Sequence, residues 1–352
     1  MKRYWNIYDR ICDLDNIKLA HKMAKKWKWY YQEVKKVDKN IDHYCKQIQK
    51  MLRDKTYDIQ PNDYTHSTIK DWQKERELSK LKYYPHRIIQ RAIMLQLEPI
   101  FMSAFCYHTC ASLKGRWIHH AHKLTSKYVK ENRYCLKIDI RKFYPSINHE
   151  KLKHLLTRKI KCKDTLELLW KIIDSSGEKW VPIWSYLSQY LANYYLSYFD
   201  HRLKENKQCK YVVRYMDDII ILDDDKEKLH KLLKEMNEYL KQLDLEIKDN
   251  YQIFPIKERW IDFVWYRFFG EYTLLRKGTC KKFKKTTKTK QNNKWRCSIN
   301  SYVWWLLWCD SFRLYEKYIK PLINKLKYYY DNIIRWHKNY LNKLLKKQFI
   351  TY

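Results

Sequence analysis

Asp217 and Asp218 stand side by side between two strand-like runs, Tyr211–Arg214 and Ile219–Leu222. A third aspartate, Asp139, lies near the end of the alternating stretch Leu136-Lys137-Ile138-Asp139-Ile140, 78 residues before Asp217. Two adjacent carboxylates at a hairpin tip repel each other, and burial of their flanks raises the cost. A divalent cation is the simplest compensation. If the strands are neighbours, the three aspartates converge on a two-metal site. Such a site can position an attacking hydroxyl and stabilise a leaving pyrophosphate. Mg²⁺ suits it, because that ion takes a few carboxylates together with substrate phosphates. A bare Asp-Asp pair is also compatible with a solvated turn. The run Asp223-Asp224-Asp225 marks the contrast. It follows a strand and precedes a helix, so it reads as a helix-capping and dipole feature.

The elements that must hold these residues follow from periodicity. Residues 1–55 read as helices, with apolar residues at helical spacing in Ile17–Lys26 and Ile41–Leu52. Residues 56–130 mix short strands and helices. Leu136–Ile140 alternates as a strand does, and His149–Leu156 and Asp164–Ile173 read as helices. Pro182 precedes a long helix expected from Ser188 to about Leu203. Tyr215-Met216-Asp217-Asp218 is then the tip of a hairpin. Lys226–Leu243 is amphipathic, with Leu229, Leu232, Leu233, Met236 and Leu240 on one face. Residues 261–276 read as paired strands, 281–294 as a basic segment, and 298–348 as helical. The chain carries no internal repeat.

Bulk composition narrows the partner. Lys and Arg number 73 against 39 Asp and Glu, a formal net charge of +34, more than a neutral substrate requires. Such an excess suits a polyanion, since each neutralised phosphate releases counterions. Thirty-two Tyr and 15 Trp lie among the lysines. Some of them are suited to stacking on bases, while most are expected in the core or along its rim. The N-terminus lacks the apolar stretch of a signal peptide, and no run is apolar enough to span a bilayer. The expectation is a cytoplasmic protein without a membrane partner, its ten cysteines free thiols. Cys106, His108 and Cys110 have no second ligand pair nearby, so zinc is not expected.

These motifs resemble the reverse transcriptase family. Tyr215-Met216-Asp217-Asp218 is similar to its Y-x-D-D box, and Leu136–Ile147 (LKIDIRKFYPSI) to the motif with the first metal aspartate. The resemblance implies an α+β right-hand polymerase and an RNA-directed DNA polymerase activity. Fingers would cover roughly 56–135 and 150–185. The palm, with its antiparallel sheet, would cover 136–149 and 186–255. With the primer grip, fingers and palm fill 56–276, leaving residues 1–55 as an N-terminal helical region and 277–352 as a helical thumb. It implies two Mg²⁺ ions ligated by Asp139 and Asp217, with Asp218 accessory and the carbonyl of Ile140 facing the metal. Tyr144 falls where the family places an aromatic gate against a ribose 2′-hydroxyl. Tyr83–Phe101 and Ala111–Trp117 are similar to fingers motifs, which assigns Arg87 and Arg116 to the nucleotide or template. Lys248 falls near the expected pyrophosphate. Ile261–Arg276 resembles the primer grip and Ser301–Leu314 the thumb.

Within the family, Val181–Leu196, with Ser188-Gln189 followed by Ala192-Asn193, resembles the reverse transcriptases of diversity-generating retroelements. That implies copying of a template RNA into error-prone cDNA, with dNTPs, a primer and a small basic accessory protein as partners. It links loose selectivity to Ile183, and places Ser188 and Gln189 at the nascent base pair. A retron, defence or intron-type enzyme is the alternative. So is a basic RNA-binding protein on a catalytically dead scaffold. The basic stretches 25–36, 281–294 and 343–347 are expected to follow phosphate backbones.

One departure stands out. Where the family has glycine this chain has Trp184, Trp265, Trp260, Trp117, Trp180 and Trp304. The chain holds 4 Gly in all, against roughly 25 at average usage of about 7%. A stop codon reassigned to glycine but read as tryptophan would give this pattern. An AT-rich genome explains few glycines, but not why tryptophan lands on glycine positions.

Overall fold

The computed structural model describes residues 2–71, 74–175, 185–289 and 293–322. Among the described residues ten strands are defined: β1 (Tyr64–Asp71), β2 (Lys74–Leu81), β3 (Thr109–Cys110), β4 (Tyr134–Asp139), β5 (Tyr211–Tyr215), β6 (Asp218–Asp223), β7 (Gln252–Pro255), β8 (Ile261–Phe263), β9 (Tyr266–Phe268) and β10 (Thr273–Leu275). With the helices between them the class is α+β, as expected. Three sheets form: the β1-β2 ribbon, a sheet of order β3-β5-β6-β4-β7, and a sheet of order β10-β9-β8.

The chain divides into two compact units. The first comprises Met1–Trp117, Leu136–Ile221 and Lys226–Gln252. Its core is built on helix Ile88–Met102, which buries Ile88, Ile89, Ala92, Ile93, Met94, Leu97, Ile100 and Phe101. Residues this apolar around much of a helix need neighbours on several sides. Helices Leu14–Ala24 and Tyr186–Tyr195 supply two of them. The central strands are apolar runs: Val212 and Val213 in β5 and Ile219 to Ile221 in β6 are all buried. β3 joins β5 in parallel, pairing Thr109 with Arg214 and Cys110 with Tyr215.

The long helix expected from Ser188 begins at Tyr186 but stops at Tyr195, and a separate helix runs Ser197–His201. The reason is local. The Ser197 hydroxyl donates to the Tyr194 carbonyl at 2.7 Å, competing with the helix's own ladder. The aspartate run 223–225 ends β6, and the Asp223 side chain accepts from the Asp225 N–H at 3.1 Å, just before helix Lys226–Gln242. That helix buries Leu229, Leu232, Leu233, Met236 and Leu240, the face its periodicity marks.

The second unit comprises Ile118–Cys135, Leu222–Asp225 and Ile253–Tyr352. β8, β9 and β10 form its antiparallel sheet. Helix Ile118–Tyr128 sets His122 against the sheet, its ring 4.6 Å from that of Tyr266 and 5.0 Å from that of Phe268. Burial, with the neighbouring His119, lowers the His122 imidazole to about 4, so it stays neutral. Helices Lys277–Thr287 and Asn293–Leu306 follow. Of the segment 298–348 expected to be helical, residues 323–348 lie outside the described residues, as does 343–347 among the basic stretches. No helix among the described residues is long and apolar enough to cross a membrane.

Candidate active site

The two strand ends that carry the aspartates are neighbours. β4 lies beside β6 in the sheet, and the Ile140 N–H donates to the Asp217 carbonyl at 3.1 Å. Asp139 is thereby fixed next to the Met216-Asp217 turn. On its other side the Lys248 N–H donates to the Asp139 carbonyl at 2.9 Å, and Ile140 bridges Ile247. The β4 end is gripped from both flanks. Ile140 is fully buried.

The β5-β6 turn has only Met216 and Asp217 between its strands, and Met216 takes φ 56°. A left-handed conformation at a non-glycine residue costs on the order of 1–3 kcal/mol and survives only where the surroundings impose it. Met216 is buried. Tyr144, in the short helix Phe143–Ser146, places its hydroxyl 3.6 Å from the Met216 sulfur. Burial first, and then the charge of Asp217, push the Tyr144 phenol well above its ordinary value. The aromatic residue singled out by its spacing from Asp139 therefore sits on the Y-x-D-D turn.

Lysines attend the carboxylates. Lys248 Nζ lies 2.5 Å from Asp139 Oδ1, and Lys137 Nζ lies 3.7 Å from Asp218 Oδ1. The Asp139 oxygen is buried and receives no well-directed hydrogen bond, despite the short approach of the ammonium. Among the described residues no three His, Cys, Asp or Glu side chains are already grouped to hold a metal ion. The donor set is nonetheless all carboxylate oxygen, the chemistry that Mg²⁺ selects, and the poorly satisfied Asp139 oxygen has capacity for a further partner.

Arg87 and Ser188 line one cavity of about 550 Å³, together with Lys28, Lys82 and Gln90. Burial, with the nearby Arg87 charge, lowers the Lys28 ammonium to about 8. Gln189, one residue beyond Ser188, is half-buried in the same helix. Arg116 donates from one guanidinium nitrogen to the carbonyls of Phe105 and Cys106, at 3.3 and 2.7 Å. Ile183, Trp180 and Trp184 lie outside the described residues.

Sequence reasoning passed over what lies beneath the turn. Arg214 and Asp200 are both fully buried and paired, Nε to Oδ1 at 2.8 Å and Nη2 to Oδ2 at 2.6 Å. An arginine inside an otherwise apolar strand was the available signal, because a buried charge needs a partner. Nothing in the spacing named Asp200 as that partner.

Residues 70–251, just over half of the chain, match the family model described as "Reverse transcriptase (RNA-dependent DNA polymerase)". The chain belongs to the reverse transcriptase family. Its α+β fold is accordingly that of a right-hand polymerase, with the aspartates on a palm sheet. Protein YkfC of Escherichia coli (strain K12) is 28% identical over 133 residues, covering 34% of this chain and 35% of YkfC. The chain thus spans about a third of that curated relative. Among solved structures, telomerase from Candida albicans in complex with the TWJ fragment of telomeric RNA is similar with TM-score 0.48 and 11% identity. That match covers 85% of this chain and 63% of the telomerase chain. Apo telomerase from Candida tropicalis, truncated from its C-terminal domain, gives TM-score 0.42 and 12% identity, covering 62% and 55% of the two chains.

Proposed function

We propose that this protein is an RNA-directed DNA polymerase that copies a template RNA into cDNA in a diversity-generating retroelement. The observation that carries the polymerase reading is the Ile140 N–H to Asp217 carbonyl bond, which sets two aspartates from separate strands side by side. Asp139 and Asp217, with Asp218, would hold two Mg²⁺ ions, which supply charge neutralisation at the attacking 3′-hydroxyl and the leaving pyrophosphate. The chain's own contribution is positioning and electrostatics. Lys248, paired with Asp139, would supply positive charge to the leaving pyrophosphate. Tyr144 fills the space beside the turn where a ribose 2′-hydroxyl would enter. Arg87 and Ser188, in their shared cavity, would meet the template or incoming nucleotide, with Gln189, Ile183 and Arg116 as the further contacts.

The assignment to a retroelement is supported by Ser188-Gln189 followed by Ala192-Asn193. It brings with it error-prone copying, a primer, dNTPs, a small basic accessory protein and a cytoplasmic setting. Primer extension on an RNA template, with Mg²⁺ and dNTPs, tests the reaction. The expected result is Mg²⁺-dependent cDNA that Asp217→Ala reduces to background. CDNA equally abundant from Asp217→Ala, or none from the wild-type protein, would refute the polymerase. Sequencing of the product tests the finer reading: errors concentrated at template adenines support it, and evenly faithful copying points to another bacterial reverse transcriptase.

A further inference from the structure

The guanidinium of Arg214 has five N–H donors, and all five have acceptors. Nε and one Nη2 hydrogen go to the two oxygens of Asp200. The other Nη2 hydrogen goes to the Asn193 carbonyl at 3.4 Å. Nη1 donates to the Asn193 side-chain oxygen and to the Met216 carbonyl, each at 3.1 Å. No other side chain could make this fork, since lysine offers three donors from a single point.

The acceptors are themselves held. Asp200 Oδ2 also accepts from the Thr109 hydroxyl at 2.7 Å. Asn193 Nδ2 donates to the Ala111 carbonyl at 3.2 Å. Burial works against the Asp200 charge, but the guanidinium outweighs it and holds the carboxyl well below the usual carboxylate range. The cluster therefore ties four pieces of the first unit to one rigid group: β3 with the residues after it, helix Tyr186–Tyr195, helix Ser197–His201, and the β5-β6 turn. The one carbonyl it grips in that turn belongs to Met216, the residue in the left-handed conformation. A strained residue persists where its surroundings over-determine it, and here the hydrogen bond to its carbonyl does so.

We propose that Arg214, braced by Asp200 and Asn193, is a positioning residue that locks the Met216-Asp217 turn and so sets the aim of the Asp217 and Asp218 carboxylates. Asn193, the last member of the Ser188-Gln189, Ala192-Asn193 motif, then acts on the turn through the arginine rather than on a substrate. Stability alone does not call for this pair, because replacing a buried ion pair by a well-packed, purely apolar core is often neutral. It would leave the Met216 carbonyl without its donor. This inference rests on the polymerase reading for its rate measurement, but not for its binding measurement.

Two variants separate aim from stability. Arg214→Met combined with Asp200→Val removes both charges together. Arg214→Lys keeps a cation beside Asp200 but loses the fork to Met216, and it serves if the double variant does not fold. For each folded variant we expect unchanged binding of an RNA–DNA primer–template and unchanged KM for dNTP. We expect kcat to fall about a hundredfold, as misplacement of about 1 Å can produce. Mn²⁺ titrated into the protein and followed by electron paramagnetic resonance should bind about tenfold more weakly, a difference of ~1.4 kcal/mol. A folded variant with wild-type kcat and wild-type Mn²⁺ affinity overturns the proposal. If the wild-type protein extends no primer, the polymerase reading fails, while weakened Mn²⁺ binding in the variants still sustains the role of Arg214.

Discussion

On the proposed reading, Tyr144 is the residue that makes the site selective. Its hydroxyl lies against the Met216 sulfur, and desolvation with the Asp217 charge keeps the phenol protonated, so on that reading it would act by volume and not by charge. A pocket filled this way rejects an added hydroxyl sterically, which an open apolar pocket does poorly. Tyr144→Ala is expected to keep dNTP incorporation on an RNA template and to raise the efficiency of rNTP incorporation about tenfold or more, ~1.4 kcal/mol of lost discrimination. The measurement is kcat/KM for matched dNTP and rNTP with each protein. Equal discrimination in the two would assign Tyr144 to packing alone. Asp139, Asp217 and Asp218 could be picked out of the sequence because carboxylates are expensive where the pattern places them, whereas Tyr144 was marked only by the resemblance to the family motif. Arg214 carried a signal of the same kind, a charge inside an apolar strand, but its role was not legible, because its partner Asp200 comes from a helix that no periodicity couples to that strand.

At the scale of elements, strands were the legible part. β4, β5 and β6 follow directly from alternation and apolar runs, since a strand buried on its faces has few other ways to be written. The break after Tyr195 was hidden, because it depends on where one serine hydroxyl turns. The β8-β9 hairpin exposes a different conflict between sequence and backbone. Its two-residue loop is Val264-Trp265, with φ 42° and 71°. Positive φ at both central residues belongs to the tight hairpin turn that strongly prefers Asn-Gly, and a bulky residue there is strained. Of the other tryptophans that the resemblance sets on glycine positions, Trp117 and Trp304 are more than half exposed, while Trp260 is less so and packs against Phe269 and Arg267. All of this agrees with glycine at these positions in the protein made by its own host. Tryptic peptides of the native protein should carry the mass of glycine at 265 and 184, and a TGG codon at either position ends that idea for it. In recombinant protein, Trp265→Gly should leave stability unchanged or raise it by about 1 kcal/mol through relief of the turn. Truncation of an ordinary well-packed tryptophan would instead cost about 3–5 kcal/mol. Thermal or urea unfolding of the two proteins distinguishes these outcomes.

For the whole molecule the governing quantity is the charge of +34. An excess of this size repels itself in the free protein and is relieved when phosphates replace the counterions around it. Affinity for nucleic acid should therefore be largely a salt effect. If roughly 6–10 phosphates are neutralised, binding should weaken about 10³–10⁵-fold between 50 and 200 mM salt. The logarithm of the affinity should fall linearly with the logarithm of the salt concentration. Fluorescence anisotropy with an RNA–DNA duplex, repeated across salt, gives the slope. The slope also separates two kinds of residue that a single affinity would blend. Lys281 and Lys284 beside the cavity of the second unit, if they contact phosphate, should each lower the slope by about one when changed to alanine. On the proposed mechanism Asp217→Ala should leave the slope alone while removing polymerisation, because its carboxylate would hold a cation and not meet the duplex. A flat response to salt would mean that the excess charge serves something other than a nucleic-acid backbone, and the lysines would then have to be read as a solvated surface.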